Sequence, residues 1–216
     1  LRRMDYASLR KVIRKNDRVL DYGCGRMPYK DAILKLGANY KSADITGSKG
    51  IDYSINENGE LEDCDEVFDV IIIMDVLQHI VDPRKTLAEL TQYLSKDATV
   101  IITTPFIFVE CDFHDYHRWS HTGIQALLGS SGYVVTGHDK RGGTFFASVY
   151  IVLGTLSNVI IWRRLAWRLN LSLIRRFALV LFETIFIPIL WFALFLDYVI
   201  PINGGYLGTI TVAKKG

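Results

Sequence analysis

One stretch constrains the fold of this chain more than any other: Arg18-Val-Leu-Asp-Tyr-Gly-Cys-Gly-Arg-Met-Pro28. Val19 and Leu20 read as a short buried strand that ends in Asp21. A glycine turn follows, and Pro28 is placed at the first position of a helix. Gly23 and Gly25 suit such a turn, because a residue without Cβ tolerates positive φ and lets a ligand approach the backbone closely. A second strand-like run, Tyr40 to Ile45, carries Asp44 about 20 residues beyond the turn, the usual distance to a carboxylate that grips ribose hydroxyls in a Rossmann-type unit. The pattern calls for a nucleoside-containing ligand. A pyrophosphate is disfavoured, because Pro28 stands where a dinucleotide fingerprint has its third glycine. Asp21 sets a negative charge beside the turn, which suits a cationic sulfonium or ammonium.

Strand and helix signals alternate from Asp17 to Leu128, which predicts an α/β fold: a doubly wound, mostly parallel sheet of seven strands with helices on both faces. Helices are predicted over Pro28–Leu36, closed by Gly37, over Pro83–Leu94 with Asp82 as N-cap, and over Thr122–Leu128. Further strands are predicted at Ala98–Thr104, at Tyr133-Val-Val-Thr136 and near Tyr206–Lys214.

Two runs carry a resemblance to a known family. VLDYGCGRMPY resembles motif I of class I S-adenosylmethionine-dependent methyltransferases, and Phe68-Asp-Val-Ile-Ile-Ile-Met-Asp-Val-Leu-Gln-His79 resembles that family's fourth-strand signature, with Gln78 in place of the usual Glu. The resemblance implies S-adenosyl-L-methionine as cofactor. Asp21, Gly23 and Gly25 then form the cofactor turn, and Asp44 bonds the ribose diol. The adenine contact follows the third strand, at Asn58 with Gly59. Asp75 faces the crevice at the carboxyl end of the fourth strand, where open sheets bind ligands. His79 points at the methionine moiety or the methyl acceptor.

The segment Cys111-Asp-Phe-His-Asp-Tyr-His-Arg-Trp-Ser-His121 falls where acceptor-binding loops sit. Its histidines, spaced three and four apart, would share one face of a helix and so invite a metal reading. The aromatic and Asp residues favour a loop instead, and Ser120 reads as the cap of the next helix. No metal is assigned. His114 to Ser120 resembles an HDYYRYT-like motif of a methyltransferase subgroup associated with cell-surface polysaccharide and lipid-glycan synthesis, with His117 in place of an aromatic. That resemblance implies His114 or Asp115 as general base, with Tyr116, His117, Arg118 and Trp119 shaping the acceptor site. The implied reaction is O-methylation of a sugar or lipid-linked glycan. The alternatives are an isoprenoid quinone or other lipid as acceptor, or a non-catalytic membrane-associated scaffold that keeps the fold.

Composition narrows partners and compartment. The net charge is only +2, so nucleic acid is not expected as a partner. Three cysteines, an odd number and widely spaced, fit neither a disulfide framework nor a Cys-rich zinc site and suit a reducing, cytoplasmic setting. A methyltransferase core is therefore expected over residues 1–143 and 204–216, with an apolar helical insertion at 144–203. Within the insertion, Arg163, Arg164, Arg168, Arg175 and Arg176 separate two apolar stretches. The second, Phe177–Ile200, has the length of about 20 residues that a bilayer span needs. Glu183, Pro188 and Asp197 interrupt it, and each charge at a bilayer centre costs about 2.5–3.5 kcal/mol. A spanning helix is thus disfavoured. A hairpin lying on the inner face of an anionic membrane and a structural lid both remain open, the arginines tilting the balance toward headgroups.

Overall fold

The computed structural model describes residues 2–45, 50–108, 114–158, 184, 188–200 and 205–216. The chain forms two compact units. The first comprises Leu1–Phe106, Asp112–Arg141 and Gly208–Gly216, and the second Ile107–Cys111 and Gly142–Leu207.

The first unit runs α1 (Arg2–Val12), β1 (Arg18–Tyr22), α2 (Lys30–Lys35), β2 (Asn39–Ile45), β3 (Tyr53–Ile55), β4 (Leu61–Glu62), β5 (Phe68–Met74), α3 (Pro83–Leu90), β6 (Leu94–Pro105), α4 (His121–Ser130), β7 (Tyr133–Arg141) and, after the second unit, β8 (Gly208–Lys215). Its sheet has eight strands in the order β4-β3-β2-β1-β5-β6-β8-β7. Seven strands were expected; the eighth is β4, a two-residue antiparallel edge that pairs Leu61 with Ile55. From β3 to β6 every neighbouring pair is parallel, while β8 runs antiparallel between β6 and β7.

Side-chain alternation explains why both faces are covered. Successive strand residues point to opposite faces. Val19, Val70, Ile72 and Ile101 pack with Leu9 of α1 and Ile33 of α2. Leu20, Ile71, Ile73, Val100 and Ile102 pack with Leu87 and Leu90 of α3 and with Ile124 and Leu128 of α4. Fully buried strands of a parallel sheet read as continuous apolar runs for this reason.

Helix starts follow their caps. The Asp82 carboxylate accepts the Lys85 amide proton, with Pro83 in the first turn, and the Ser120 hydroxyl accepts that of Gly123. Two boundaries differ from the sequence reading. The helix after the glycine turn begins at Lys30, not Pro28, because Met27 adopts φ 54° and its amide closes a turn onto the Cys24 carbonyl. Leu94 continues the leucine spacing of α3 but belongs to β6, because a single 3-10 turn over Thr91–Tyr93 redirects the chain.

In the second unit, α5 (Thr144–Asn158) is followed by a further described helical segment at 188–199. Arg163, Arg164, Arg168, Arg175 and Arg176 lie outside the described residues. No described helix is long and apolar enough to cross a membrane. The Thr144 hydroxyl accepts the Gly205 amide proton at 2.9 Å, tying the start of the unit to its end.

Candidate active site

The strand order reverses between β1 and β5, and a cleft of about 820 Å³ opens at the carboxyl ends of the neighbouring strands. Crevices at such a switch point are where open α/β sheets hold ligands. The lining comes from the turn after β1 (Tyr22, Gly23, Gly25), the end of β2 (Asp44) and the segment after β3 (Asn56, Glu57, Gly59). The end of β5 (Asp75, Val76), His79, His114 and Tyr116 complete it.

The glycine turn has the predicted conformation. Gly23 and Gly25 lie at φ 75° and 53°. A Cβ on Gly23 would come within 2.4 Å of Val76, whereas one on Gly25 would meet nothing within 4 Å. Gly23 is thus required by packing, and Gly25 leaves an open cradle beside the cleft. The Asp44 carboxylate accepts the Gly25 amide proton at 2.5 Å and that of Ile45 at 2.7 Å, which fixes it at the rim. The Cys24 thiol between the glycines also points at Asp44, and burial pushes it up to about 12, so it stays protonated.

Asp21 is not in the lining. It is buried behind the turn, where it accepts a hydrogen bond from the Tyr40 hydroxyl at 2.8 Å. Burial, reinforced by the charge of Asp44, pushes its carboxyl up to about 6. Asn58 is likewise outside the cleft and exposed. The Asn56 side chain accepts the amide protons of Asn58 and Glu60, an Asx turn that carries Asn58 outward and leaves Asn56, Glu57 and Gly59 on the cleft wall. Tyr22 pins this wall through a 2.5 Å hydrogen bond from its hydroxyl to the Gly59 carbonyl.

Asp75 does face the cleft, at φ 56°, a left-handed conformation uncommon outside glycine. Its amide donates to the carbonyl and hydroxyl oxygens of Thr103. Its carboxylate accepts two hydrogen bonds from Arg141, at 2.7 and 3.0 Å. Arg141 is buried and also donates to the buried Asp5 of α1 at 3.1 Å, and Asp5 accepts from Tyr29. Burial pushes Asp5 above the ordinary carboxylate range, against the pull of Arg141. Sequence reasoning missed Arg141 and Asp5, which are 136 residues apart and share no motif.

At the other end of the cleft, His79 Nδ1 lies 3.0 Å from the His114 carbonyl oxygen. A carbonyl only accepts, so Nδ1 carries the proton and a neutral ring has its lone pair on Nε2. The Tyr116 amide donates to the Gln78 carbonyl, and the Gln78 side chain donates to the Asp75 carbonyl at 2.5 Å. Asp115 has a fully buried side chain and forms a two-point ion pair with Arg118, and Arg118 also donates to the His117 carbonyl. His117 reaches the Val81 carbonyl at 3.2 Å and stacks on Trp119. Neither Asp115, His117, Arg118 nor Trp119 lines the cleft. His114 and His117 lie in irregular chain while His121 opens α4. Among the described residues no three metal-ligating side chains converge. Cys111 lies outside the described residues.

The described lining holds the carboxylates of Asp44, Glu57 and Asp75 and no Lys or Arg. Such a wall suits a cationic ligand and repels a pyrophosphate. Volume, glycine cradle and charge together fit S-adenosyl-L-methionine. Fold and site define a Rossmann-like S-adenosylmethionine-dependent methyltransferase. The chain belongs to the methyltransferase domain family, whose family model matches residues 2–134.

Known proteins are consistent with this. A ubiquinone biosynthesis O-methyltransferase of Parvibaculum lavamentivorans is 31% identical over 100 residues, 40% of this chain and 40% of that protein. One of Xanthomonas campestris pv. campestris is 27% identical over 116 residues, 47% of this chain and 48% of that protein. The chain thus spans less than half the length of the curated relatives it matches. A SAM-dependent methyltransferase from Archaeoglobus fulgidus shares the fold at TM-score 0.59 and 16% identity, covering 100% of this chain and 95% of that one.

Proposed function

We propose that the chain transfers a methyl group from S-adenosyl-L-methionine to a hydroxyl of an isoprenoid quinone precursor or a related lipid. The observation that carries this reading is the run of seven matches to curated proteins, each named a ubiquinone biosynthesis O-methyltransferase. The glycan acceptor first expected rests on a single segment, His114 to Ser120. In that segment Asp115 and Arg118 are paired with each other and stand outside the cleft lining.

The cofactor, when bound, supplies an electrophilic methyl group on sulfur. The residues of the chain do the rest. Asp44 and the Gly25 cradle hold the nucleoside end, and the wall at Asn56 and Gly59 takes the base. Asp75, held by Arg141, faces the positive charge. His79, whose Nδ1 donates to the His114 carbonyl, lines the cleft and is assigned as the group that takes the acceptor's proton. The acceptor's proton would pass to the His79 imidazole and then to solvent as the hydroxyl oxygen takes the methyl group and the methyl–sulfur bond breaks, the sulfur leaving as a neutral thioether. His114 acts through its carbonyl, and Asp115 holds the loop through Arg118. Alignment of hydroxyl and methyl supplies much of the rate.

The test is to incubate the purified chain with methyl-labelled S-adenosyl-L-methionine and, in parallel, a polyprenylated catechol and a lipid-linked sugar. Label in the catechol, lost in His79→Ala, is the expected result. Label in the sugar alone moves the acceptor to a glycan. No label in either, with cofactor still bound, points to the scaffold reading.

A further inference from the structure

We infer that the second unit docks on an anionic membrane surface through the outward face of its helical segment 188–199. The inference is independent of the acceptor.

Asp197 apart, the segment is apolar around its circumference. Its inner face is marked by Ala193, which is 2% exposed. Asp197, one turn further on, accepts the amide protons of Phe145 and Phe146 at 2.9 Å each. These are among the N–H groups that the first turn of α5 leaves without helical partners. The carboxylate therefore serves as a distant cap for α5 and favours the positive end of its dipole. Asp197 is also the only charged residue between Pro188 and Ile200. With it turned inward, the outer face carries no charge.

That face is unusual for a protein in water. Trp191 is 67% exposed, Phe192 60%, Phe195 57% and Tyr198 86%. On α5, Ile151 and Val152 are exposed as well. A contiguous apolar patch of this sort marks an interaction site. A helix apolar all round is normally buried in a core or a membrane.

The choice of partner follows from residue type and charge. Trp and Tyr prefer the headgroup level, where one end of the ring is apolar and the other wet. The charge of Asp197 would be costly at a bilayer centre, so the segment is assigned to the interface plane. Between Thr144 and Phe182 the sequence has Arg163, Arg164, Arg168, Arg175 and Arg176 and no Asp or Glu. That charge complements anionic headgroups.

The experiment is flotation of the full chain with vesicles of phosphatidylcholine alone and of phosphatidylcholine with phosphatidylglycerol, at low and high salt, with brominated lipid as a tryptophan quencher. Binding to the anionic vesicles, weakened by salt, with quenching that falls in Trp191→Ser, is the expected result. The Trp191→Ser/Phe195→Ser variant should lose at least tenfold in partitioning. If that variant misfolds, Arg163→Ser/Arg164→Ser/Arg168→Ser reads the charge term separately, at roughly fivefold per arginine. Three results would each overturn the inference: no binding to either vesicle, equal binding to both, or concentration-dependent dimers that the Trp191→Ser/Phe195→Ser change abolishes.

Discussion

Replacing Asp21 with Asn tests how the chain carries a buried charge behind its cofactor turn. Asp21 is 2% exposed, and burial pushes its carboxyl from 3.8 to about 6. Below the lower value the group is protonated in both the folded and unfolded chain and costs nothing. As pH rises, the unfolded chain releases the proton first, so stability falls; above about 6 both states are ionised and the loss is complete. The interval between 3.8 and about 6, at about 1.4 kcal/mol per pH unit, corresponds to roughly 3 kcal/mol. His138 acts in the opposite sense. Burial and the neighbouring His121 bring it from 6.5 down to about 4, so its contribution is lost as pH falls through that range. The two slopes oppose each other in the wild type. Asp21→Asn keeps an acceptor for the Tyr40 hydroxyl and removes one slope. Urea denaturation of both proteins from about pH 4 to about pH 8 should show the variant gaining roughly 3 kcal/mol relative to the wild type as pH rises. A gap that stays constant with pH refutes the reasoning, whatever its size, because a constant gap reports only the cost of the amide.

Three further changes probe the site. Asp44→Ala should weaken binding of S-adenosylhomocysteine by roughly 1.5–3 kcal/mol in calorimetry, the scale of hydrogen bonds to a charged group; unchanged affinity removes Asp44 from the cofactor site. Arg141→Met leaves Asp5 and Asp75 without their shared cation and should cost about 3–5 kcal/mol of stability. Adding Asp5→Asn should return part of that loss, and a purely additive double variant would show that the pair is not coupled. His79→Ala should lower turnover about 100-fold or more with cofactor affinity retained, and a single-turnover rate equal to that of the wild type rules His79 out as the base.

Much of the first unit was legible because local and global signals agree. Ala98 to Thr104 read as a buried strand, and its apolar residues occupy the sheet with Val100 and Ile102 in one core and Ile101 in the other. Asp82 and Ser120 read as helix caps and are caps. The failures share a cause: each depends on geometry that residue type does not encode. Met27 takes a left-handed conformation usually left to glycine, which moves the start of α2. Asn56 and Asn58 are equivalent on paper, and only the Asx turn decides which one faces the cleft. Asp21 announced a carboxylate at the turn, but its burial under Tyr40 depends on β2 lying alongside β1. The Asp5–Arg141–Asp75 chain joins α1, β7 and the end of β5 and leaves no local trace.

Arg141, the last residue of β7, stands directly opposite Gly208, the first of β8. Everything between them is spliced into what would otherwise be a hairpin. The entropy of closing a loop grows only logarithmically with its length, so even a long interruption there is tolerated once folded. Biogenesis bears a different burden. Because β8 separates β6 from β7 in the sheet, neither strand finds this neighbour until the ribosome has passed residue 208. A nascent chain paused before residue 208 presents the bare hydrogen-bonding edge of β6. That pause is when chaperone capture matters most.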